Sequence, residues 1–212
     1  NIPKDYSGMD SYMIKKGFQK IIQNDKFMSF VITYSAHMPY RYNKLECSSN
    51  LDYVKQYIDS SDEDYLCAMA QSHETDNFFT ELLKKLEEEN KIDNTVIIGF
   101  ADHYAYGFNK ELLYNLKDET DFNLLQKTPF FIWSNDIEPL EVKKVSSTVD
   151  ILPTIANLFG LNWNPNYYIG NDALDQNYKG FAFFKDHSWY DGSFYYKSSD
   201  NYSIDKSEYI DL

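Results

Sequence analysis

The sequence is poor in cysteine and lacks a long apolar run. Two cysteines in 212 residues are too few for a disulfide scaffold, and neither Cys47 nor Cys67 lies in a CxxC pair or a metal-ligand cluster. Cys67 falls within a predicted helix, so two unpaired, partly buried thiols are favoured over a bridge. The longest apolar run, residues 95–101, is far shorter than the roughly 20 residues of a membrane-spanning helix. We therefore expect no segment of this chain to cross a bilayer.

Basic residues are also scarce. The chain has 20 Lys and Arg against 33 Asp and Glu, which gives a formal net charge of −13. Such a charge repels a polyanion, so we expect no nucleic acid partner. The acidic residues are scattered rather than grouped in a block, which predicts a solvated acidic surface.

The chain nevertheless has enough apolar residues to form a hydrophobic core. Hydrophobic residues make up 43% of the sequence and aromatic residues 17%, a composition typical of a globular domain. A chain of 212 residues fits one large domain. Residues 1–5 (NIPKD) contain neither an initiator Met nor a signal peptide, so we expect a processed or excised part of a longer protein.

Three segments in the first half have clear patterns. Residues 27–34 (FMSFVITY) are β-branched and aromatic and predict a strand, which ends in a loop because Pro39 follows. Residues 62–90 have apolar positions at helical spacing and acidic residues at their start, which predicts a long amphipathic helix. Residues 95–101 (TVIIGFA) predict a strand covered on both faces.

Further elements follow in the second half. Residues 128–133 predict another buried strand, and residues 150–159 predict a helix with Pro153 in its first turn and Gly160 as its stop signal. Alternation of strands and helices predicts an α/β fold with a sandwiched parallel sheet. After Gly160, short aromatic segments separated by Asp-Gly and Ser-Asp turns predict a small antiparallel sheet.

Polar side chains at two predicted strand ends are the candidates for chemistry. His37 follows the first strand, and Asp102 and His103 come directly after the second. Ligands of open parallel sheets bind beyond the carboxyl ends of the strands, and an Asp beside a His suits Zn²⁺ or Mn²⁺. From the Asp-His dipeptide and its position alone, the favoured interpretation is that Asp102 and His103 are hydrogen-bonded to backbone groups rather than to a metal ion. For His37 the alternative is a loop histidine bonded to nearby backbone.

Four segments resemble the alkaline-phosphatase superfamily. Residues 95–107 (TVIIGFADHYAYG) resemble the strand and Asp-His metal loop of sulfatase-like members, and residues 127–133 (KTPFFIW) resemble the next strand. Residues 145–160 (VSSTVDILPTIANLFG) are similar to the family's D-(I/L)-x-P-T helix. Residues 33–40 (TYSAHMPY) are similar to its S/N-H-x-P-(Y/F) loop, which narrows the resemblance to lipoteichoic-acid-synthase-like phosphoglycerol transferases.

This resemblance implies an α/β/α sandwich, of which the chain is the C-terminal part. Residues 1–160 would form the α/β core and residues 161–212 the small antiparallel subregion. Asp102 and His103 would hold one divalent ion, with Mn²⁺ expected first and Mg²⁺ or Zn²⁺ as alternatives. His37 would hydrogen-bond the phosphoglycerol group. The family's nucleophilic Thr and an acidic metal ligand match no segment here and are expected upstream.

The implied activity is transfer of glycerol phosphate from a phosphatidylglycerol-type lipid to an acceptor through a phospho-threonine intermediate. The parent protein would be anchored in the cell membrane and would act at its extracellular face, in the synthesis of lipoteichoic acid or another cell-envelope polymer. This chain alone is expected to be inactive without the N-terminal half of the catalytic domain. The alternatives are a sulfatase or phosphodiesterase of the same fold and, in another class, a non-catalytic binding domain with a decayed site.

Overall fold

The structure is a computed structural model that describes residues 9–198 and, for the backbone alone, residues 208–211. The chain forms two compact units, Asn1–Ile137 and Glu138–Leu212. No helix in the described part of the chain is both long and apolar enough to span a membrane. The predicted subdivision at residue 160, and the assignment of the chain to the C-terminal part of a catalytic domain, stay predictions.

Seven α-helices are described in the first unit: α1 (Asp10–Gly17), α2 (Gln19–Ile22), α3 (Leu45–Ser48), α4 (Leu51–Val54), α5 (Glu63–Glu88), α6 (Lys110–Lys117) and α7 (Phe122–Leu125). Helix α5 confirms the long helix predicted over residues 62–90. It begins where the Asp62 side chain accepts a hydrogen bond from the Tyr65 amide, and Glu63 and Asp64 lie in its first turn. Carboxylates at this end stabilise a helix because they satisfy its unpaired amides and complement its dipole.

Helix α5 supplies most of the first unit's core. From Gln71 onward its buried positions recur every three or four residues, up to Leu86, so they share one face of the helix. Phe78, Leu82 and Leu86 on this face pack against Ile14 of α1 and Ile22 of α2. Burial of each such side chain contributes about 1.5–3 kcal/mol, so this contact sets the position of α1 on α5.

The predicted strands at residues 95–101 and 128–133 are present as β1 (Ile97–Phe100) and β2 (Phe130–Trp133). The prediction that they belong to a parallel sheet covered on both faces is wrong, because they pair antiparallel and Phe100 is 44% exposed. Gly99 lies opposite Phe131, whose ring fills the place of a Gly99 side chain. An aromatic side chain across a strand glycine covers the bare backbone and stabilises the pair.

The antiparallel pairing has a physical reason in the connection between the strands. The last residue of β1, Phe100, lies opposite the first residue of β2, Phe130, so the chain leaves and returns at the same end of the pair. The connection contains α6 and α7, and α6 is followed by Asp118 with a positive φ of 49°. The connection therefore returns to the end of the pair from which it left, whereas a parallel pair would need a crossover to the opposite end.

The strand predicted over residues 27–34 is not formed. These residues are extended but have no strand partner in the described part of the chain. Phe27 and Val31 still pack against the core of α1 and α5. The sequence pattern predicts a strand, but a strand also requires a neighbour with which to pair, and the described residues provide none.

The second unit contains α8 (Ile151–Leu158), which confirms the helix predicted over residues 150–159. Pro153 lies in its first turn, and Gly160 follows its end with a φ of 59°, a conformation that favours glycine. Four short strands form an antiparallel sheet in sequence order: β3 (Ala182–Phe183), β4 (Trp189–Tyr190), β5 (Phe194–Lys197) and β6 (Glu208–Asp211). This sheet confirms the antiparallel subregion predicted after Gly160.

The expectation that both cysteines are unpaired is wrong. Cys47 of α3 and Cys67 of α5 form a disulfide, and both residues are fully buried. They lie in a second apolar cluster together with Leu66 and Ala70 of α5 and Val54 of α4. A cysteine within a helix can pair whenever another element packs on that face, which the sequence pattern does not reveal.

Candidate active site

Asp102 and His103 lie in the loop directly after β1, as the sequence predicts. The Nδ1–H of His103 donates to the Tyr104 carbonyl at 2.8 Å, and this bond leaves Nε2 of the ring as the nitrogen that can bind a ligand. Nε2 lies 3.5 Å from Oδ1 of Asp102, whose side chain is 83% exposed. The His103 ring also contacts the Tyr106 ring, with 4.5 Å between centroids. The pair thus presents one nitrogen and one carboxylate to solvent.

The geometry of this pair fits a shared divalent ion. An ion held tetrahedrally, with ligand distances of about 2.1 Å, places two donor atoms about 3.4 Å apart. The 3.5 Å between Nε2 and Oδ1 is close to this value. A metal-binding His commonly donates its other ring N–H to a carbonyl, as His103 does to Tyr104. Within residues 9–198 and 208–211, no group of three or more His, Cys, Asp and Glu side chains could complete a ligand set.

His37 lies in the loop after the extended segment, also as the sequence predicts. Its Nδ1–H donates to the Met38 carbonyl at 2.6 Å, so Nε2 is again the nitrogen available to a ligand. The His37 ring stacks on the Tyr34 ring, with 5.2 Å between centroids and 8° between planes. Nζ of Lys44 donates to the His37 carbonyl at 3.0 Å. Ring and backbone of His37 are therefore both held in place.

Asp10 at the start of α1 anchors the same loop, and sequence reasoning missed it. Its carboxylate accepts hydrogen bonds from the amides of Tyr34 and Ser35 at 2.8–3.0 Å. The Asp10 amide in turn donates to Oγ of Ser35 at 2.9 Å. Ser35 is fully buried and Asp10 is 8% exposed, so water competes little for these bonds. The sequence can indicate that an acidic residue begins a helix. It does not indicate that this residue will bond amides 24 and 25 residues away.

The two candidate loops contact one another. A side-chain carbon at Gly107 would lie 3.1 Å from Sδ of Met38 and 3.4 Å from the Tyr40 ring. Tyr40 stacks on Phe108, with 4.9 Å between ring centroids. Gly107 therefore allows the loop of Asp102 and His103 to approach the loop of His37. The two loops that carry the candidate residues are therefore neighbours.

The contact between the loops is apolar enough to affect ionisation. Burial raises the pKa of Tyr40 above its ordinary value, and the nearby Tyr106 raises it further. A raised phenol pKa means that the environment disfavours the charged phenolate. Tyr40 is therefore a neutral packing residue between the loops.

Gln71 of α5 contacts the His37 loop. It is fully buried, and its Nε2 is 3.5 Å from the His37 carbonyl, at the outer limit of a hydrogen bond. Its Oε1 is the one buried side-chain oxygen or nitrogen in the described residues that lacks a hydrogen bond. Lys44 and Gln71 thus both direct a hydrogen-bond donor at the His37 carbonyl. Local sequence patterns do not predict the contact of Gln71, because Gln71 is 34 residues away from His37.

The D-I-L-P-T segment, by contrast, has a structural role in the second unit. Asp150 is 1% exposed, and its carboxylate accepts hydrogen bonds from the amides of Ser147 and Asn171 and from the hydroxyl of Tyr178. Burial and the neighbouring Asp150 raise the pKa of Tyr178. Oγ1 of Thr154 accepts a hydrogen bond from the Ala173 amide. The polar residues of this segment hold the chain that follows α8.

The chain belongs to the sulfatase family, since the Sulfatase family model matches residues 3–161. It also has the sulfatase-like fold of the alkaline-phosphatase superfamily. The crystal structure of the lipoteichoic acid synthase LtaP from Listeria monocytogenes superposes with a TM-score of 0.74 at 21% sequence identity. The match covers 95% of this chain and 52% of the LtaP chain. The predicted resemblance is confirmed.

Two relatives in Bacillus subtilis have similar names. The lipoteichoic acid synthase-like protein YvgJ is 26% identical over 196 residues, which are 87% of this chain and 30% of YvgJ. Lipoteichoic acid synthase 2 is 25% identical over 195 residues, which are 86% of this chain and 29% of that protein. The chain thus spans less than a third of the length of these relatives.

Proposed function

We propose that this chain supplies the Asp-His metal pair and a substrate-binding histidine to a metal-dependent phosphoglycerol transferase. The observation that carries the proposal is the 3.5 Å separation of His103 Nε2 and Asp102 Oδ1 in an exposed loop after β1. Support for the transferase class comes from the lipoteichoic acid synthases to which the chain is similar. The substrate class would be a phosphatidylglycerol-type lipid, and the acceptor would take up glycerol phosphate.

The residues of this chain would have separate roles. Asp102 and His103 would hold a divalent ion, with Mn²⁺ as the first candidate. When bound, such an ion polarises a phosphate ester and neutralises charge on its oxygens. Nε2 of His37 would bond the phosphoglycerol group, since Nδ1 is already bonded to the Met38 carbonyl. The nucleophilic Thr and the remaining metal ligands would come from polypeptide outside these residues.

The disulfide supports an extracytoplasmic location for this activity. Disulfides persist in oxidising compartments and are rare in the reducing cytosol. Cys47 and Cys67 are bridged and fully buried in the first unit. We therefore place the proposed reaction at the extracellular face of the cell membrane, where a lipid substrate and an envelope acceptor meet.

The test uses the complete gene product that contains this chain and three variants, Asp102→Ala, His103→Ala and His37→Ala. The first two remove a metal ligand, so metal content and activity should fall together. His37→Ala should retain the metal and lose one hydrogen bond to phosphate, worth about 1.5–3 kcal/mol or roughly one to two decades in kcat/KM. Elemental analysis beside kinetics with phosphatidylglycerol separates these effects.

A matched control is His73→Ala, because His73 of α5 stacks on Tyr53 and lies outside both candidate loops. This variant should retain both metal and activity. If His37→Ala also loses the metal, His37 is a ligand, and if it changes neither quantity it is an ordinary loop histidine. Turnover of an aryl sulfate in place of the lipid would assign a sulfatase, and absence of both metal and turnover would assign a binding domain with a decayed site.

A further inference from the structure

The backbone carbonyl of His37 is held by two side chains from different parts of the first unit. Nζ of Lys44 donates to this oxygen at 3.0 Å, and Nε2 of Gln71 approaches it at 3.5 Å. A carbonyl oxygen has two lone pairs, so it can accept from both donors. Lys44 directly precedes α3, and Gln71 lies in α5. Two separate elements therefore fix one backbone group of the candidate site.

The two donors belong to one covalently joined pair of helices. The disulfide links Cys47 of α3 to Cys67 of α5, and both cysteines are fully buried. Lys44 is close to Cys47 in the sequence, and Gln71 is close to Cys67. The bridge limits how far α3 can move from α5. It therefore also limits the movement of Lys44 relative to Gln71.

Gln71 has an unpaired oxygen that packing does not explain. The side chain is fully buried, and in the described part of the chain its Oε1 accepts no hydrogen bond. Cys67 and Ala70, its neighbours on α5, belong to an apolar cluster. An unpaired buried polar atom destabilises a fold, and an apolar side chain of similar shape removes that penalty. Stability alone does not account for a glutamine here, whereas the contact of its Nε2 with the His37 carbonyl does.

The orientation of the His37 carbonyl affects the His37 ring. This carbonyl belongs to the peptide plane between His37 and Met38, and the next carbonyl, that of Met38, accepts the ring Nδ1–H at 2.6 Å. Rotation of the peptide plane would displace the Met38 carbonyl from Nδ1. The Nδ1 bond selects the tautomer in which Nε2 is available to a ligand. The donors on the His37 carbonyl thus help to determine which ring nitrogen meets a ligand.

We propose that Lys44 and Gln71 are positioning residues, which hold the peptide plane of His37 so that its Nε2 meets the phosphoglycerol group. They act through His37 and do not contact the substrate. The functional part of this inference rests on the proposed role of His37 in phosphoglycerol transfer. The structural part, that the two donors fix the His37 ring, holds without any activity.

NMR of this chain with 15N-labelled histidines tests the structural part. The chain has four histidines, so His37→Ala assigns the signals of His37. In mildly alkaline buffer, where imidazole is neutral, the ring 15N shifts of His37 should report one tautomer. In Lys44→Met and in Gln71→Met they should move towards the average of the two tautomers. Unchanged His37 shifts in either variant overturn the proposal for that residue.

Two controls separate positioning from folding. Lys55→Met should leave the His37 shifts unchanged, since Nζ of Lys55 lies 5.7 Å from the Tyr42 ring, just as Nζ of Lys44 lies 5.7 Å from the Tyr34 ring. Gln71→Met should melt at the same temperature as the original chain or higher, because the unpaired oxygen is removed. A lower melting temperature would assign Gln71 to folding and overturn its part of the proposal.

A double-mutant cycle in the complete gene product tests the functional part. Lys44→Met should lower kcat/KM about tenfold through misplacement of His37, with unchanged metal content. In the His37→Ala background the same substitution should lower kcat/KM less than about twofold, because a positioning residue loses its effect once its target is gone. Lys44→Arg, which keeps a donor, should retain most of the activity.

The outcomes of the cycle are distinguishable. An equal loss on Lys44→Met in both backgrounds overturns the proposal, since Lys44 would then act on the substrate directly. If His37→Ala itself leaves kcat/KM unchanged while Lys44→Met and Gln71→Met shift the His37 signals, the proposed role of His37 in the reaction fails. The assignment of Lys44 and Gln71 as the residues that fix the His37 ring then stands.

Discussion

Asp10 shows how a single residue can position a candidate site from a distance. Its carboxylate accepts hydrogen bonds from the amides of Tyr34 and Ser35, which lie three and two residues before His37. Because Asp10 also begins α1, which packs on α5, the His37 loop is tied to the core of the first unit. His37 itself is held by stacking on Tyr34, by bonding the Met38 carbonyl, by donating its amide to the Tyr34 carbonyl and by accepting from Lys44.

We predict that Asp10→Ala destabilises the first unit and loosens the His37 loop. The substitution removes the carboxylate that accepts from the buried Ser35 amide, which costs about 1–3 kcal/mol of unfolding free energy. Urea unfolding gives the free energy, and hydrogen exchange at Tyr34 and Ser35 gives the local effect. The control is Asp59→Ala, an exposed acid of the same unit, which should change neither quantity. If the Tyr34 and Ser35 amides exchange as slowly in Asp10→Ala as in the original chain, the Asp10 carboxylate does not hold the His37 loop.

At the scale of elements, the disulfide joins α3 to α5 beside the contact between the two candidate loops. Tyr40 packs against the apolar cluster that contains Cys47 and Cys67, and its other side stacks on Phe108. Phe108 belongs to the loop region after Asp102 and His103. The helices that carry the cysteines thus support the residues that hold the loops together.

We predict that the double variant Cys47→Ala, Cys67→Ala lowers the free energy of unfolding by about 3 kcal/mol, as the chain-entropy model gives for a loop of this length. The cysteines are separated by 20 residues in the sequence. Chemical denaturation with and without a reductant measures the effect. Reductant should lower the stability of the original chain to that of the variant and leave the variant unchanged. A variant as stable as the original would show that packing of the cluster suffices.

At the scale of the whole molecule, the proposed metal pair has no further ligands among the described residues. Asp102 and His103 offer two donors, and no described side chains extend them to a group of three. Two protein ligands leave most of the coordination sphere of a divalent ion to water, so affinity should be low. Covalent catalysis further needs a nucleophile, and under the proposed function the nucleophilic Thr would lie outside these residues.

We therefore predict that this chain alone binds Mn²⁺ weakly or undetectably and has no measurable turnover of a phosphodiester. Calorimetric titration with Mn²⁺ and a chromogenic phosphodiester assay check the two parts, with the complete gene product as the positive sample. A tight, stoichiometric site in the chain alone that is lost in His103→Ala would mean that the chain supplies further ligands. Turnover that disappears in Asp102→Ala would show that the chain is a complete enzyme.

Local sequence patterns were sufficient for several features of this protein. The long helix α5, the strands β1 and β2, the helix α8 and the loop positions of Asp102, His103 and His37 all follow from short-range spacing. Apolar periodicity, capping residues and Pro or Gly signals act within a few residues, so they can be read without knowing where the chain goes next. The same local motifs predicted the sulfatase family, which the Sulfatase family match to residues 3–161 confirms.

Only the tertiary structure decided which of these elements meet. The antiparallel direction of β2 depends on how α6 and α7 return the chain, and the disulfide depends on α3 packing over α5. The position of the His37 loop depends on Asp10, which is far away in the sequence. Residues 27–34 stay unpaired because no described strand lies beside them. In each case the deciding contact joins segments that are distant in sequence. Its free energy comes from burial and hydrogen bonds that exist only once the chain has folded.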